Sequence, residues 1–266
     1  GLVLTLLAVV STYSGSVPFC LHAAEARLPD QVRTVLFLGD SITHAGWYVN
    51  DIETYFVTRR LAPGVALINA VVSSETVSGL SEEGHANGQF PRPDLRTRLS
   101  RTLELIKPDL VFACYGMNDG IYLPFDEERF TRFRDGIERL HATVEKSGAR
   151  IIHLTPPIYD EARGHKAGYA AVLDRYSTWL LEQRTRDWQV IDVHAALQRV
   201  TEERRKSDPA FTFNKDGVHP DSAGHWVMAQ AVLAGLGADS VAAHESARAM
   251  AAARPRGEEI AALVAQ

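Results

Sequence analysis

Five short apolar segments recur along the chain, and their alternation with stretches of helical spacing restricts the fold more than any other feature. Each segment has five to seven residues and is bounded by Gly, Pro or Asp, which is typical of strands buried on both faces of a parallel sheet. The segments are residues 32–38, 65–71, 109–114, 149–154 and 189–193.

The stretches between these segments carry apolar residues every three or four positions, which predicts amphipathic helices. Strands that alternate with helices form parallel sheets with right-handed crossovers. The sequence therefore predicts an α/β protein, a three-layer α/β/α sandwich around a mostly parallel five-stranded sheet. The clearest helical sets are Leu95, Leu99, Leu103 and Ile106; Phe130, Phe133, Ile137, Leu140 and Val144; and Val172, Tyr176, Trp179 and Leu180.

Polar side chains follow three of the predicted strands. Ser41 ends the run Gly39-Asp40-Ser41 just after the first strand, Ser74 lies past the second, and Asn118 lies past the third. Sites on parallel sheets form at the carboxyl ends of the strands. We therefore expect Ser41, Ser74 and Asn118 to share one site.

A carboxylate and an imidazole, Asp216 and His219, lie three residues apart near the end of this region. A serine hydroxyl is a weak nucleophile unless a base removes its proton, and histidine can take that proton and return it to the leaving group. A carboxylate that accepts from the imidazole N–H fixes the tautomer and stabilises the imidazolium. The two side chains are expected on one loop, before a helix that starts near Asp221.

Three short blocks carry these residues in a fixed order: Gly39-Asp40-Ser41, Gly116-Met117-Asn118-Asp119 and Asp216-Gly217-Val218-His219-Pro220. Together they resemble the blocks of the SGNH, or GDSL-type, hydrolase family, and the resemblance covers residues 32–236. It implies the flavodoxin-like fold of that family and ester hydrolysis through an acyl-enzyme. It also implies Ser41 as nucleophile, His219 as general base and acid, Asp216 as its orienting carboxylate, and Asn118 as an oxyanion donor.

One block departs from the family pattern. The family places a glycine after the second strand, whose backbone N–H would complete an oxyanion hole with Ser41 and Asn118, whereas this chain has Ser74. Serine keeps the N–H, so it can serve if its φ is negative and its side chain points away from the cleft. The alternative is a decayed oxyanion hole in a binding module that has kept the scaffold.

Other titratable residues near the blocks have weaker claims to a chemical role. Asp40 and Asp119 are expected to order their loops. A further hypothesis places His85 with Glu82-Glu83, and also Tyr159, at the rim of a substrate cleft. Five further histidines have no comparable context, and most of them are expected at the surface or satisfied in the core; they are His44, His153, His165, His194 and His225.

Two other classes of hydrolase fit the sequence less well. The α/β-hydrolase nucleophile elbow needs Gly-x-Ser-x-Gly, which the chain lacks. A metallohydrolase could use Asp40, Asp119, Asp216 and His219 as ligands, but no His-x-His or His-Glu-x-x-His run accompanies them, and Ser41 would have no role. The phosphate-binding loop of nucleotide hydrolases is also missing. We therefore expect neither a metal nor another cofactor.

The net charge of the chain does not indicate nucleic-acid binding. Lys and Arg number 28 against 33 Asp and Glu, for a net charge of −5. The basic run Arg204-Arg205-Lys206 follows Glu202-Glu203, which is typical of a solvated helix end. With 266 residues, 45% of them hydrophobic and 23% charged, the chain can bury one full core.

The first 26 residues differ from the rest. Residues 2–10 are almost continuously apolar, too few to span a bilayer, and small and polar residues follow up to residue 26. This pattern predicts a secretory signal peptide, no stable membrane anchor after cleavage, and a periplasmic or secreted enzyme; the alternative is a buried N-terminal helix. Cys20 has no acceptable lipobox, so after cleavage Cys114 alone would remain, and its apolar strand predicts a core residue.

Residues 27–238 are predicted to form the catalytic domain. After them an Ala-rich helical pattern runs over 240–253, breaks at Pro255-Arg256-Gly257 and resumes to Gln266. This predicts a peripheral helical appendage over residues 239–266, whose abrupt end predicts that the natural chain continues.

The sequence as a whole predicts an exported, cofactor-free serine esterase that acts on small or short-chain acyl esters. Its expected partner is a small-molecule or carbohydrate acyl ester, and a carbohydrate O-acetyl group is one hypothesis for the substrate.

Overall fold

The computed structural model describes residues 25–29 and 31–266 of the chain. Its strands are β1 (Thr34–Gly39), β2 (Ala66–Asn69), β3 (Leu110–Cys114), β4 (Arg150–Leu154) and β5 (Gln189–Ile191). They form one sheet in the order β2-β1-β3-β4-β5, and every pair of neighbours is parallel. The register pairs Gly39 with Cys114 and Cys114 with Leu154, so the carboxyl ends of the central strands meet at one edge.

Helices and short 3₁₀ turns connect and follow the strands. The α-helices of the described residues are α1 (Ser41–His44), α2 (Trp47–Arg59), α3 (Leu99–Ile106), α4 (Glu127–Lys146), α5 (Glu161–Gly164), α6 (Tyr169–Glu182), α7 (Val193–Arg205), α8 (Ser222–Gly235), α9 (Ala247–Ala252) and α10 (Gly257–Val264). The 3₁₀ helices are His85–Gly88, Leu95–Thr97, Gln183–Arg186 and Asp239–Ala243.

The strand order divides the helices between the two faces of the sheet. The chain moves from β1 outward to β2 and then back past β1 to β3, and right-handed crossovers in opposite directions place their helices on opposite faces. Accordingly α2 packs with α8 and α8 with α7, whereas α4 packs with α3 and, through Phe133 and Tyr176, with α6. The predicted three-layer α/β/α sandwich around a five-stranded sheet is confirmed.

The observed elements are shorter than the patterns that predicted them. Asp109 explains why β1 starts at Thr34 and not at residue 32. Its carboxylate accepts from the N–H groups of Arg33 (2.7 Å) and Thr34 (2.9 Å), so the hydrogen bonds between strands begin only at Thr34. The pattern over residues 95–106 is divided into a 3₁₀ turn and α3. Arg98 lies between the two with a φ of −126°, and its side chain turns inward to Glu75.

Aromatic side chains fill the core on both faces of the sheet. The rings of Phe37 and Phe112 stack with centroids 5.1 Å apart, and those of Phe133 and Tyr176 with centroids 4.2 Å apart. Cys114 is only 2% exposed, and burial raises the pKa of its thiol. The prediction that Cys114 is a core residue is confirmed.

The C-terminal segment, residues 239–266, is packed more closely than a peripheral appendage. Met250 and Ala251 are fully buried, and both α9 and α10 pack against α2. The continuous helix predicted over 240–253 is wrong. The 3₁₀ turn ends at Ala243. The carbonyl of the next residue, His244, accepts from the Trp226 indole N–H, and a new helix starts where Ser246 caps α9.

The break predicted at Pro255-Arg256-Gly257 is confirmed, because α10 begins at Gly257 after Arg256 adopts a φ of +57°. The predicted signal segment, including Cys20, lies outside the described residues except for its last two positions. Of those two, Ala26 is buried, and its N–H donates to the Tyr55 hydroxyl (3.1 Å). Within the part of the chain that the structure describes, no helix is long and apolar enough to cross a membrane.

Candidate active site

Ser41 stands where β1 passes directly into α1, at the carboxyl edge of the sheet. Asp40 caps this helix by accepting from the Ile42 N–H (3.0 Å). Gly39 ends the strand at a crowded position, where an added Cβ would lie 2.3 Å from Thr43 Oγ1 and 3.0 Å from the Cys114 carbonyl. The tight passage from strand to helix therefore needs the glycine of the Gly-Asp-Ser block and presents Ser41 as the first helical residue.

The structure brings Ser41, His219 and Asp216 into one chain of hydrogen bonds. Ser41 Oγ lies 2.8 Å from His219 Nε2, and His219 Nδ1 lies 2.6 Å from Asp216 Oδ2. Because a carboxylate can only accept, Nδ1 carries the proton and donates it to Asp216. In the neutral ring Nε2 is then left with a lone pair, which can accept the Ser41 hydroxyl proton.

The loop that carries Asp216 and His219 is held by its own backbone. Asp216 Oδ1 accepts from the N–H groups of Val218 (2.9 Å) and His219 (2.8 Å), so the carboxylate is fixed from both sides. Gly217 has a φ of +86°, and an added Cβ would lie 2.3 Å from the backbone of Gly164. The loop is therefore pressed against a neighbouring backbone segment, and only glycine fits there.

Asp216 stays ionised because of these donors. Burial alone would raise its pKa, but the hydrogen bonds from the His219 ring and from the N–H groups of His219 and Val218 outweigh burial and lower the pKa below its ordinary value. Asn214 steadies the base of the loop, since its side-chain amide donates to the carbonyls of Ile158 (2.9 Å) and Val218 (3.1 Å).

Asn118 follows β3, the strand beside β1, and is 3% exposed. Its side-chain oxygen accepts from the Tyr122 hydroxyl (3.0 Å), and its NH₂ group donates to the Glu75 carbonyl at a long 3.3 Å. The Tyr122 hydroxyl identifies the accepting end of the amide and so fixes which way it points. One of the two N–H bonds of Asn118 is left to donate to another acceptor.

The backbone of Ser74 does not have the negative φ that we expected for a serine at this position. Its φ is +64°, in the left-handed region that glycine adopts without cost, whereas a negative φ was the expected condition for a tolerable serine. The backbone therefore keeps the conformation suited to glycine although the residue is serine. The backbone N–H groups of Ser74 and Ser41 make no hydrogen bond to any other described residue.

A buried ion pair supports the part of the site that contains Ser74 and Asn118, and sequence reasoning missed this pair. Arg98 donates twice to the fully buried Glu75 carboxylate at 2.6 Å and once to the Ala70 carbonyl at 2.8 Å. The Tyr115 hydroxyl donates to the same carboxylate (2.6 Å). Glu75 follows Ser74 directly and lends its carbonyl to Asn118, so the pair fixes the backbone of both. The sequence did carry a signal for this pair. Glu75 is a charged residue directly after Ser74, and it follows a stretch of small and apolar residues.

Asp40 and Asp119 order their loops as predicted. Asp119 Oδ1 accepts from the N–H groups of Val77 (2.9 Å) and Ser78 (2.8 Å), and so ties the loop after β3 to the loop after β2. Burial raises the pKa of Asp40 to about 7, against the opposing hydrogen bond from Ile42, and the charge of Asp119 adds to the rise. Burial likewise raises the pKa of Asp119 to about 6, although its backbone donors lower it.

Some of the residues predicted at the rim of the substrate cleft have other positions in the structure. Glu82 turns inward and pairs with Arg92, which donates to both of its oxygens at 2.6 Å, and His85 lies 3.7 Å from the same carboxylate. Arg92 also donates to the Ser74 carbonyl (3.4 Å) and lies over the Tyr122 ring, a position that no sequence signal indicated. Tyr159 is not at the rim. It is 5% exposed because Gly164 and the Tyr169 ring cover it.

Three of the five histidines expected at the surface or satisfied in the core occupy such positions. His44 and His165 are exposed, and His194 is satisfied in the core by Pro156 and Asp174. His153 and His225 are buried, but the Nδ1 atom of each has no hydrogen-bond partner among the described residues, so neither is fully satisfied, although His153 Nε2 lies 3.1 Å from His141 Nδ1. Within residues 25–29 and 31–266, no group of three or more His, Cys, Asp or Glu side chains is arranged to hold a metal ion.

The arrangement has the parts of an acyl-transfer site: a hydroxyl, a base with an orienting carboxylate, and N–H groups that are left to donate. The sequence profile of the GDSL-like lipase/acylhydrolase family matches residues 37–227, which is more than half of the chain. The chain belongs to this family. The resemblance found in the sequence is thereby confirmed, and this acylhydrolase is a carboxylic ester hydrolase.

Solved structures resemble this acylhydrolase in fold. A gut microbial diltiazem-metabolizing enzyme matches 81% of the chain with a TM-score of 0.67 and 23% identity, and the chain spans only 49% of that protein. A catalytic mutant of Axe2, an acetylxylan esterase from Geobacillus stearothermophilus, matches 77% of the chain and 94% of its own (TM-score 0.59, 21% identity).

The acetyl xylan esterase AlAXEase matches 76% of the chain and 98% of its own, with a TM-score of 0.60 and 19% identity. At these identities the likeness shows a common fold. A comparison with curated protein sequences gave no match.

Proposed function

We propose that this acylhydrolase is an exported serine esterase that removes short acyl groups, and acetyl above all, from a carbohydrate. The single observation that carries the catalytic part is the chain of hydrogen bonds from Ser41 Oγ through His219 to Asp216, at 2.8 and 2.6 Å. In this proposal Ser41 is the nucleophile, His219 the general base and acid, and Asp216 the carboxylate that orients the imidazole and stabilises the imidazolium.

The acylation step follows from the proton positions. Ser41 Oγ attacks the ester carbonyl carbon while its proton passes to His219 Nε2, and the developing imidazolium is stabilised by Asp216. The carbonyl oxygen becomes an oxyanion, for which the free N–H bond of Asn118 and the unpaired backbone N–H groups of Ser41 and Ser74 are the donors. The intermediate collapses when His219 returns the proton to the leaving alcohol oxygen.

Deacylation repeats these steps with water. His219 takes a proton from the water as its oxygen attacks the acyl-enzyme carbonyl, and then gives that proton to Ser41 Oγ as the C–O bond breaks. One water is consumed, one carboxylic acid leaves, and the triad returns to its starting protonation. No other co-reactant is required.

Two observations favour a carbohydrate ester as the substrate. Two of the similar folds belong to proteins named acetylxylan esterases. In addition, the side chains of His219 and Asp216 are 47% and 56% exposed, so the leaving alcohol, which His219 must protonate, can be large and hydrated. A long acyl chain would instead need a deep apolar pocket.

Reaction with a fluorophosphonate tests the nucleophile, and a panel of esters tests the substrate. Wild-type protein should be labelled at Ser41, and Ser207→Ala, which removes a surface hydroxyl, should label equally. Activity on p-nitrophenyl esters should be greatest for acetate and fall with chain length, and acetylated xylan should release acetate. Preference for long-chain esters would replace the carbohydrate proposal with a lipase.

Two alternatives give different outcomes in the same experiments. A binding module on this scaffold would be neither labelled nor active on any ester. A metallohydrolase built on Asp40, Asp119, Asp216 and His219 would lose its activity to EDTA and regain it with a divalent cation. We expect labelling, and activity that is indifferent to EDTA.

Export is the remaining part of the proposal, and the apolar run of residues 2–10 supports it. The measurement is fractionation of cells that express the full natural gene, followed by N-terminal sequencing of the enzyme. Mature protein outside the cytoplasm, cut near residue 26, is the expected result. Uncut protein in the cytoplasm would overturn it.

A further inference from the structure

A groove with a mostly apolar lining and several polar side chains lies between α2, the start of α8 and the C-terminal segment. One part has a volume of about 390 Å³ and is lined by Trp47, Asp51 and Ser222 among others. A second part, of about 380 Å³, shares Asn50, Asp51 and Arg248 with the first, so the two parts are continuous. Each lies in the range of roughly 300–1,000 Å³ that is common for ligand pockets.

The groove adjoins the catalytic loop. Ser222, in its wall, follows His219 by three residues and opens α8. Trp47, in the opposite wall, opens α2, which follows Ser41 and α1. Both helices follow residues of the catalytic site in the sequence, so this end of the groove lies on the side of the molecule that carries the reacting serine.

Of the two tryptophans that line this groove, Trp47 is exposed and Trp226 is buried. Trp47 is 47% exposed, and its ring meets His225 edge-on, with centroids 5.1 Å apart. Burial lowers the pKa of His225 to about 4, so this partner is a neutral ring at physiological pH, and the charge of His219 contributes to the lowering. The indole is thereby held on one side while another part of it faces the groove.

The same face of α2 carries two polar side chains. Asn50 and Asp51 lie three and four positions after Trp47, about 6 Å along the helix axis at most. Asp51 is half-buried, and its carboxyl group makes no hydrogen bond to another residue of the described ranges. Burial raises the pKa of this carboxyl to about 7. Such a group is available to the hydroxyls of a ligand.

We propose that this groove is a subsite for the sugar units next to the one that carries the ester, with Trp47 as stacking platform and Asn50 and Asp51 as hydrogen-bonding groups. The inference rests on the proposed carbohydrate esterase function. One face of a sugar ring consists of C–H groups with partial positive charge, which the π face of an indole attracts, and its edge carries hydroxyls that need polar partners. A fatty acyl chain in the groove would bury Asp51 without a partner, which is costly.

The kinetic test compares two substrates in each variant. Trp47→Ala should lower the ratio of kcat/KM for acetylated xylo-oligosaccharide to kcat/KM for p-nitrophenyl acetate by about tenfold or more, through KM of the oligosaccharide. Trp47→Phe, which keeps an aromatic face, should recover most of the ratio, and Asp51→Asn should lower it severalfold. Leu105→Ala, which truncates a side chain 72% exposed on α3, is the matched control and should keep the wild-type ratio.

A binding measurement separates this inference from the proposed catalysis. Unacetylated xylohexaose has no ester to cleave, so its titration into wild-type protein, followed by indole fluorescence and calorimetry, reports the subsite alone. We expect saturable heat that Trp47→Ala abolishes and Leu105→Ala retains. Heat that persists in Trp47→Ala, or a kinetic ratio that does not change, overturns the subsite even if Ser41 is the nucleophile. Wild-type protein that fluorophosphonate does not label at Ser41 would instead overturn the proposed function.

Discussion

Asp216 and His219 lie at the protein surface, with side chains 56% and 47% exposed, whereas Glu75 and Asn118 across the site are 1% and 3% exposed. We call the first pair, with Ser41, the acid–base half and the second pair, with Ser74, the oxyanion half. The acid–base half is held by hydrogen bonds within one short loop. The oxyanion half is held by a buried ion pair that joins segments far apart in sequence.

This difference separates activity from stability. A side chain of the acid–base half contributes few contacts to the core, so its removal should affect the reaction and leave the fold. A side chain of the oxyanion half is also part of the core, so its removal should affect both. Proton positions must adjust in the first half during each turnover, while the donors of the second must stay fixed.

The largest effect is expected from the acid–base half. Ser41→Ala should lower kcat/KM by a factor on the order of 10³ or more, because the hydroxyl forms the acyl bond, and His219→Ala should do nearly the same. The double variant should be scarcely worse than either, since the groups act as a unit. Thermal unfolding should stay close to that of the wild type. A Ser41→Ala enzyme that keeps a tenth of its activity would exclude this nucleophile.

The second effect is on stability and concerns Arg98. Arg98→Ala leaves the Glu75 carboxylate buried without its cation, which should lower the free energy of unfolding by about 3–5 kcal/mol. Urea denaturation measures this loss. Arg96→Ala is the matched control, because Arg96 pairs with Asp94 at the surface and is 54% exposed. An exposed pair contributes only about 0–1 kcal/mol. Equal losses in the two variants would show that the buried pair does not stabilise the oxyanion half more than an exposed pair would.

Sequence reasoning reached the acid–base half and, in the oxyanion half, Asn118 and Ser74, but it missed the ion pair of Glu75 with Arg98 for a physical reason. The spacing of Asp216 and His219 is local, so a short block specifies their hydrogen bond. Arg98 and Tyr115 meet Glu75 from 23 and 40 positions away, and such contacts depend on where the whole sheet brings its loops. The fold was predictable because periodic apolar patterns specify strands and helices directly, whereas the bounds depended on side chains such as Asp109.

The third effect belongs to the oxyanion itself. Asn118→Ala should lower kcat by roughly 10²–10³-fold, about 3–4 kcal/mol, with little change in KM, because its N–H bond is needed only as negative charge develops. Steady-state kinetics on p-nitrophenyl acetate measure both constants. Asn118→Asp keeps the size but has no N–H to give, so it should be at least as impaired.

Tyr122→Phe tests whether the orientation of the Asn118 amide matters for kcat. It removes the hydroxyl that identifies the accepting end of the Asn118 amide, and we expect a smaller loss of kcat, about tenfold, since the amide can then turn. A rise in KM alone, in either variant, would make Asn118 a group that positions the substrate.

The fourth effect is the opposite pH response of two carboxyl groups near Ser41, those of the buried Asp40 and the exposed Asp216. The pKa of Asp40 in the folded protein is raised to about 7, so between about pH 4 and 7 the unfolded chain ionises there while the folded protein does not, and the folded protein loses stability as pH rises. Asp40→Asn, which cannot ionise, should gain stability relative to wild type across that range, by about 1–4 kcal/mol, and no further above it.

Asp216 has a lowered pKa and works in the other direction, because it stabilises the fold above its unfolded pKa and loses that contribution as pH falls. The stability advantage of the wild type over Asp216→Asn should therefore shrink below about pH 4. Urea denaturation at pH 3, 4, 5.5, 7 and 8 compares both variants with the wild type. Parallel profiles for Asp40→Asn and Asp216→Asn would show that the buried and the exposed carboxyl group do not differ in this respect.

The smallest effect is expected at Ser74, where the sequence departs from the family's glycine. At a φ of +64° a serine costs about 1 kcal/mol relative to glycine, so Ser74→Gly should raise the melting temperature slightly and leave kcat within a few fold. Ser74→Pro should lose most activity even when folded, because proline has no N–H and cannot adopt this φ. The comparison with Ser74→Ala, which keeps both the N–H and the strain, isolates the backbone donor. If Ser74→Gly raised kcat tenfold or more, the serine side chain would be obstructing the oxyanion hole, and the oxyanion half would be the part of this enzyme that has been modified for another purpose.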